Sequence, residues 1–150
     1  MIALPQTARY ALNAVTYIAG AGDSPVRVGE IAKALDVPQN YLSKTLHRLA
    51  QTGVLDSTRG PRGGFRLAVP AKDLTLARVL ASFGMSDQAN CLLGRPECRD
   101  HAPCKAHWRW KTVGQQVNTF FSETTVADLL QPEPAERRPA GQRRRATTLP

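Results

Sequence analysis

Residues 28–67 read VGEIAKALDVPQNYLSKTLHRLAQTGVLDSTRGPRGGFRL, and this stretch decides the fold. From Val28 to Leu35 the apolar side chains Ile31, Ala32 and Leu35 share one helical face, and the pattern ends in the Asp36-Val37-Pro38 turn. A second helix is predicted from about Pro38 to Thr52, burying Tyr41, Leu42, Thr45, Leu46 and Leu49, with Gly53 placed to cap it. Two short helices joined by a few residues, the second opening with polar side chains, form a helix-turn-helix. Val54 to Thr58 then reads as a strand, Arg59-Gly60-Pro61-Arg62-Gly63-Gly64 as a glycine-rich turn, and Phe65 to Ala68 as the return strand. A hairpin in that place is a wing, so the expected fold is mainly α, a winged helix-turn-helix.

Before this unit, Ala8, Ala11, Leu12, Val15, Ile18 and Ala19 recur at helical spacing between Pro5 and Gly20. After it, Leu74-Thr75-Leu76 opens another helix that carries Val79, Leu80 and Phe83 and ends near Gly84. A polar, cysteine-bearing loop of roughly twenty residues follows, long enough to need a function or something to hold it. A longer helix is predicted from about Cys104 to Glu123, about 28 Å at 1.5 Å per residue. Its stripe Ala106, Trp110, Val113, Val117, Phe120 steps by four, three, four and three, a heptad seam suited to a second helix in a homodimer. From Gln131 on, four prolines and five arginines with almost no large apolar side chains predict a disordered basic tail. The expected organisation is residues 1–72 as the DNA-binding unit, 73–130 as the cysteine loop and dimerisation helices, and 131–150 as the tail.

The chain has 150 residues, room for one domain with an appendage, and its 42% hydrophobic content with only 6% aromatics predicts an aliphatic core. Twenty basic against twelve acidic residues leave a formal charge of +8, which favours a polyanionic partner, nucleic acid ahead of a membrane surface. The tail accounts for three of those charges, five arginines against two glutamates. Between Gln39 and Arg66 stand five basic residues and one acidic residue, Asp56, so part of the excess lies in the helix-turn-helix and wing. No run approaches the roughly 20 apolar residues of a membrane span, and no signal core follows the N-terminus, so a cytoplasmic protein is expected. No nucleophile-base, paired-carboxylate or nucleotide-binding arrangement is present, and an enzyme is not expected. The G-x-x-G-G turn lacks the Gly-Lys-Ser/Thr ending of a phosphate-binding loop.

Two constellations carry the chemistry. Gln39, Asn40, Tyr41, Ser43, Lys44, His47 and Arg48 open the second helix of the motif; amides and cations bond base edges, while Ser, Tyr and Lys suit phosphates. Arg59 and Arg62 in the wing reach a minor groove or flanking phosphates, and Pro61, Gly63 and Gly64 shape their turn. The plain alternative is a solvated polar face. The second constellation is Cys91, Cys98, Cys104 and His107, spaced C-x6-C-x5-C-x2-H, with the last two one helical turn apart. Thiolates with an imidazole suit zinc or an iron-sulfur cluster, thiol redox chemistry without metal is the next reading, and incidental half-buried cysteines the third. His101, in a charged Arg99-Asp100-His101 turn, is an alternative ligand or simply solvated.

Ala8-Arg9-Tyr10-Ala11-Leu12, Tyr41-Leu42-Ser43-Lys44, the Arg59 to Leu67 wing and the cysteines ending in Cys104-Lys105-Ala106-His107-Trp108 together resemble bacterial regulators of the IscR and NsrR type. The resemblance covers nearly all of residues 1–130. It implies a homodimeric winged-helix transcriptional regulator, expected to be a repressor on a pseudo-palindromic operator in double-stranded DNA, with the long C-terminal helix as dimer interface. It also implies an iron-sulfur cluster whose state, answering to redox, nitric oxide or iron status, tunes DNA binding. The C-x2-H ending is similar to the IscR branch, which implies a 2Fe-2S cluster on Cys91, Cys98, Cys104 and His107, with 4Fe-4S as the alternative. Ala8 stands in the neighbourhood where the nitric-oxide branch uses an aspartate. The first interval, Leu92 to Glu97, is one residue longer than in the IscR pattern, and Ser43 replaces an acidic residue, so operator preference is not carried over.

Overall fold

A computed structural model describes residues 4–85 and 100–131. Cys91, Cys98 and the tail beyond Gln131 lie outside the described residues. Helices α1 (Gln6–Gly20), α2 (Val28–Leu35) and α3 (Gln39–Gln51) are followed by strands β1 (Leu55–Thr58) and β2 (Gly64–Leu67). Helices α4 (Leu76–Ala81), α5 (His107–Glu123) and α6 (Val126–Leu130) complete the described order.

α2 stops at Asp36, whose φ of 52° turns the chain left-handed and sends it into α3 three residues later. α3 buries Leu42, Thr45, Leu46 and Leu49, which leaves Asn40, Lys44 and His47, spaced four and three, on the opposite face. The antiparallel hairpin pairs Leu55 with Leu67, Asp56 with Arg66, Ser57 with Phe65 and Thr58 with Gly64. A further bridge ties Phe65 to Val26, the residue before the α2 approach, through hydrogen bonds of 2.9 and 2.8 Å in the two directions. Val26 and Phe65 are both buried. Gly64 passes so close to this segment that a Cβ there would lie 2.5 Å from the Val26 carbonyl oxygen.

One apolar cluster runs from Ala11, Val15 and Ile18 of α1 through Ile31, Leu42, Leu46 and Leu49 to Leu74, Leu76, Val79 and Val126. Its composition is aliphatic apart from Phe65, as the low aromatic content predicts. The end of α3 is tied to the end of α4: Arg48 Nε donates to the Ser82 carbonyl at 2.8 Å, and the Thr52 and Ser82 hydroxyls are 2.7 Å apart.

Two expectations need correction. The long helix begins at His107, not near Cys104; the Cys104 carbonyl accepts from the His107 N–H at 3.0 Å, a tight turn leading into α5, so Cys104 and Ala106 precede the helix. Ala106 adopts φ −88° and ψ −11°, and no side chain caps this end. The other correction is α6, which the reading of the long helix left out. Five residues cannot hold a helix by propensity, so tertiary bonds hold this one. Thr125 and Asp128 form a capping box, with Asp128 Oδ2 accepting from the Thr125 N–H at 2.8 Å and from its hydroxyl at 2.7 Å. Backbone bonds Leu76 N–H to Thr124 and Val126 N–H to Leu74, both 2.9 Å, strap the segment to the start of α4, and α6 packs on α1.

The Thr125 backbone N–H, with its hydroxyl, holds the Asp128 carboxyl below its ordinary pKa of 3.8. That contribution to stability is complete above 3.8 and is lost as the pH falls through the lowered value. Thr125→Ala should lower the free energy of unfolding by about 1 kcal/mol in chemical denaturation at pH 7. The difference between variant and wild type should shrink below pH 4 as the partner carboxylate is protonated.

Candidate nucleic-acid interface and ligand cluster

The outer face of α3 and the wing form one continuous surface. Lys44 on α3 and Arg59 and Arg62 on the wing are exposed. His47 joins the two parts: its Nδ1 lies 2.7 Å from the Ser43 carbonyl, and its ring meets Phe65 edge-on at 5.6 Å. The wing turn is tight at Gly63, where a Cβ would fall 2.2 Å from the Thr58 carbonyl oxygen. The Arg27 guanidinium donates to the Pro61 carbonyl and braces the turn from the α2 side.

The remaining polar residues at the start of α3 serve packing as well. Gln39 lies over Gly29 of α2, where a Cβ would stand 3.3 Å from its amide oxygen. Asn40 Oδ1 accepts from the Tyr41 N–H at 2.8 Å. The Tyr41 hydroxyl is 2.7 Å from that of Thr7, and its ring packs edge-on to Tyr10 at 5.4 Å, tying α3 to α1. Arg48, expected among the contact residues, is engaged with the Ser82 carbonyl on the α4 side. Lys44, Arg59 and Arg62 are exposed around α3 and the wing, as are Arg48 and Arg66, the latter paired with Asp56 at 3.4 Å, and the sequence reading missed Arg27 because its partner is a backbone carbonyl 34 residues away.

His107 opens α5 and is 4% exposed, while Cys104 is an exposed free thiol. His107 Nε2 lies 2.8 Å from Asp100 Oδ1, and Lys111 Nζ lies 2.8 Å from Asp100 Oδ2. Lys111, and after it His107, holds the Asp100 carboxyl below its ordinary pKa by hydrogen bonding to the charged form. The Trp108 ring meets the His107 ring edge-on at 4.7 Å, and Lys111 Nζ stands 5.4 Å from the Trp108 centroid. Cys104 and His107 are within one turn, while Cys91 and Cys98 lie outside the described residues. His101 is exposed. Thiol and imidazole are donors of the kind that borderline and soft metal centres use, and among the described residues no group of three or more His, Cys, Asp or Glu side chains is placed to hold a metal ion. Asp100 was missed as a site residue because it falls outside the C-x2-H spacing.

The stripe expected on the long helix divides in two. Trp110 and Val117 are half-buried, whereas Val113 and Phe120 are 37% and 55% exposed. Val113, Val117 and Phe120, with Leu12 of α1 and Leu129 of α6, line an apolar groove of about 750 Å³. The α1 and α6 sides of this groove were not legible in the helix periodicity, since Leu12 reads as one more core position. No described helix is long and apolar enough to cross a membrane.

The profile of the family described as Rrf2, iron-dependent transcriptional regulator, matches residues 4–132. An HTH-type transcriptional regulator of Aquifex aeolicus (strain VF5) is 39% identical over 127 residues, covering 83% of this chain and 88% of the relative. The HTH-type transcriptional regulator IscR of Vibrio atlanticus (strain LGP32) is 29% identical over 128 residues, 85% of this chain and 74% of the relative. Among solved structures, CymR (YrzC), the global cysteine regulator of B. subtilis, superposes with a TM-score of 0.72 at 22% identity, covering 86% of this chain and 96% of that one. IscR of T. potens superposes with a TM-score of 0.71 at 19% identity over 93% and 94% of the two chains, which at this identity speaks for the fold. With its helix-turn-helix, its wing and a family match over all but the ends of the chain, the protein belongs to the Rrf2 family of winged-helix transcriptional regulators.

Proposed function

We propose that the chain is a homodimeric repressor whose affinity for a pseudo-palindromic operator is tuned by an iron-sulfur cluster held by Cys91, Cys98, Cys104 and His107. The observation that carries the cluster reading is the burial of His107, 4% exposed, at the start of α5 in the turn that Cys104 opens through its backbone carbonyl. Thiol and imidazole are the donor types of such a cluster, and the 2Fe-2S form suits three cysteines and one histidine. When bound, the cluster supplies a redox- and nitric-oxide-sensitive group that takes different states under different iron supply. The protein's own part is to hold residues 73–130 as the sensing and pairing unit and residues 1–72 as the reading unit, with the arginines beyond 131 as a basic tail.

In this reading α3 enters the major groove with Asn40, Ser43, Lys44 and His47 toward base edges and phosphates, flanked by Gln39 and Tyr41. Arg59 and Arg62 follow the adjacent groove or backbone, on a turn shaped by Pro61, Gly63 and Gly64. Two copies pair through Val113, Val117 and Phe120, and the α3 helices meet half-sites about 34 Å apart. Arg48 bridges α3 to Ser82, four residues ahead of residue 86, so a change in the cysteine segment has a short covalent and hydrogen-bonded route to the reading helix. A second reading keeps the DNA-binding head and replaces the cluster by zinc or by thiol oxidation; the exposed Cys104 thiol favours it.

Four outcomes test this function. Anaerobically purified protein should be coloured, with near-stoichiometric iron and acid-labile sulfide, and Cys98→Ala should be bleached; a colourless wild type after reconstitution leaves the zinc or thiol reading. Lys44→Ala should weaken operator binding and lower the slope of log affinity against log salt by about one, with unchanged thermal stability. Arg48→Ala should instead lower stability by about 1 kcal/mol through the lost Ser82 bond. Phe120→Glu should sediment as a monomer and lose cooperative binding to the paired half-sites.

A further inference from the structure

We propose that His47 is a specificity-determining residue whose Nε2 accepts a hydrogen bond from a base's exocyclic amino group in the major groove, the N6 amino of adenine or the N4 amino of cytosine. The inference rests on the DNA-binding reading above and deepens it, giving one side chain of α3 a hydrogen-bonding sense and hence a class of base. His47 Nδ1 lies 2.7 Å from the Ser43 carbonyl oxygen, one turn back on the same helix, and 3.5 Å from the Ser43 hydroxyl. A carbonyl oxygen only accepts, so the one proton of the neutral ring is on Nδ1 and the lone pair is on Nε2. The two nitrogens flank Cε1, so with Nδ1 directed at the helix backbone Nε2 faces away from that bond. The ring is held in its plane as well: Phe65, buried in the wing, meets it edge-on with centroids 5.6 Å apart and planes at 83°. Two elements, α3 and β2, thus fix the tautomer and orientation of a side chain that is exposed. Its neighbours on this face have the opposite sense. Lys44 offers donors alone, and the Asn40 oxygen already accepts from the Tyr41 N–H at 2.8 Å, with its amide nitrogen a donor. On the strand contacted, adenine and cytosine present an amino donor, whereas guanine presents the N7 and O6 acceptors and thymine the O4 acceptor and a methyl group. An Nε2 that only accepts matches the first two, and a phosphate, which has acceptors alone, gives it no partner.

The readouts are the ring tautomer and the sequences that the full-length protein selects from a randomised duplex pool at pH 8. Two-bond proton-nitrogen correlation of the ¹⁵N-labelled wild type should show the His47 proton on Nδ1. The wild type should select a half-site with one position confined to adenine or cytosine on one strand, and His47→Ala should release that position alone. His47→Phe keeps a ring against Phe65 and removes both nitrogens; it should release the same position, which assigns the effect to the nitrogen and not to the packing. His47→Arg, a donor in the same place, should move the position to guanine. Replacing the selected base by its analogue without the amino group, purine for adenine or pyrimidin-2-one for cytosine, should weaken wild-type binding about 10-fold and leave the Ala and Phe variants unchanged. A proton on Nε2 would overturn the proposal, as would a guanine or thymine at the position that His47→Ala releases. So would a selected motif that His47→Ala leaves intact, whether affinity is unchanged or falls equally for every sequence, the second being the mark of a phosphate contact. A wild type that selects no sequence at all fails the DNA-binding reading itself, before any variant is compared, and the proposal with it.

Discussion

The two backbone hydrogen bonds between Val26 and Phe65 hold the reading surface in shape. A two-stranded hairpin alone is marginal in water, and this one gains a third partner only because Val26 pairs with Phe65. Phe65 then sits buried with its ring against His47 of α3, so helix and wing share one apolar joint. Gly64 is required there because the approach of Val26 leaves no room for a Cβ, and Gly63 because the Thr58 carbonyl closes the turn. The wing glycines, which read in sequence as shaping a turn, answer two specific backbone approaches within the protein.

A second joint lies on the far side of α3. Arg48 and Thr52 meet Ser82 at the end of α4, and the backbone straps between residues 74–76 and 124–126 hold α4 against the α6 segment. The cysteine segment is thus bracketed by two anchored points, Ser82 before it and His107 after it. Both are buried polar groups with partners, a costly arrangement for a core unless the bonds are made. Among the described residues no buried side-chain nitrogen or oxygen is left without one.

The apolar groove between α1, α5 and α6 shows how the same helix serves two packings. Its half-buried positions, Trp110, Gly114, Val117 and Phe121, follow one helical stripe, and its exposed positions Val113 and Phe120 lie beside it. A heptad reading merges the two, because Trp110 and Val117 belong to the same four-three spacing as Val113 and Phe120. Val113 and Phe120 thus leave a branched and an aromatic side chain exposed along the groove.

Local pattern determined α1 through α3 and the hairpin to within one or two residues, because each has its own periodicity and its own stop, Gly20, the Asp36-Val37-Pro38 turn, Gly53 and the wing glycines, whereas α4, expected to run to near Gly84, ends at Ala81. It also supplied the candidate donor types, since thiol and imidazole chemistry is carried by residue identity and spacing. Tertiary structure decided what those residues do with their other atoms. α6 exists because distant backbone groups at residues 71–76 receive it, although its Thr125-x-x-Asp128 cap was visible in the sequence. Arg48 is drawn to a carbonyl 34 residues away, and Asp100 to an imidazole seven residues on, and neither bond follows from the local period. Hydrogen bonds between distant segments depend on where packing brings the chain, and packing is a property of the whole core.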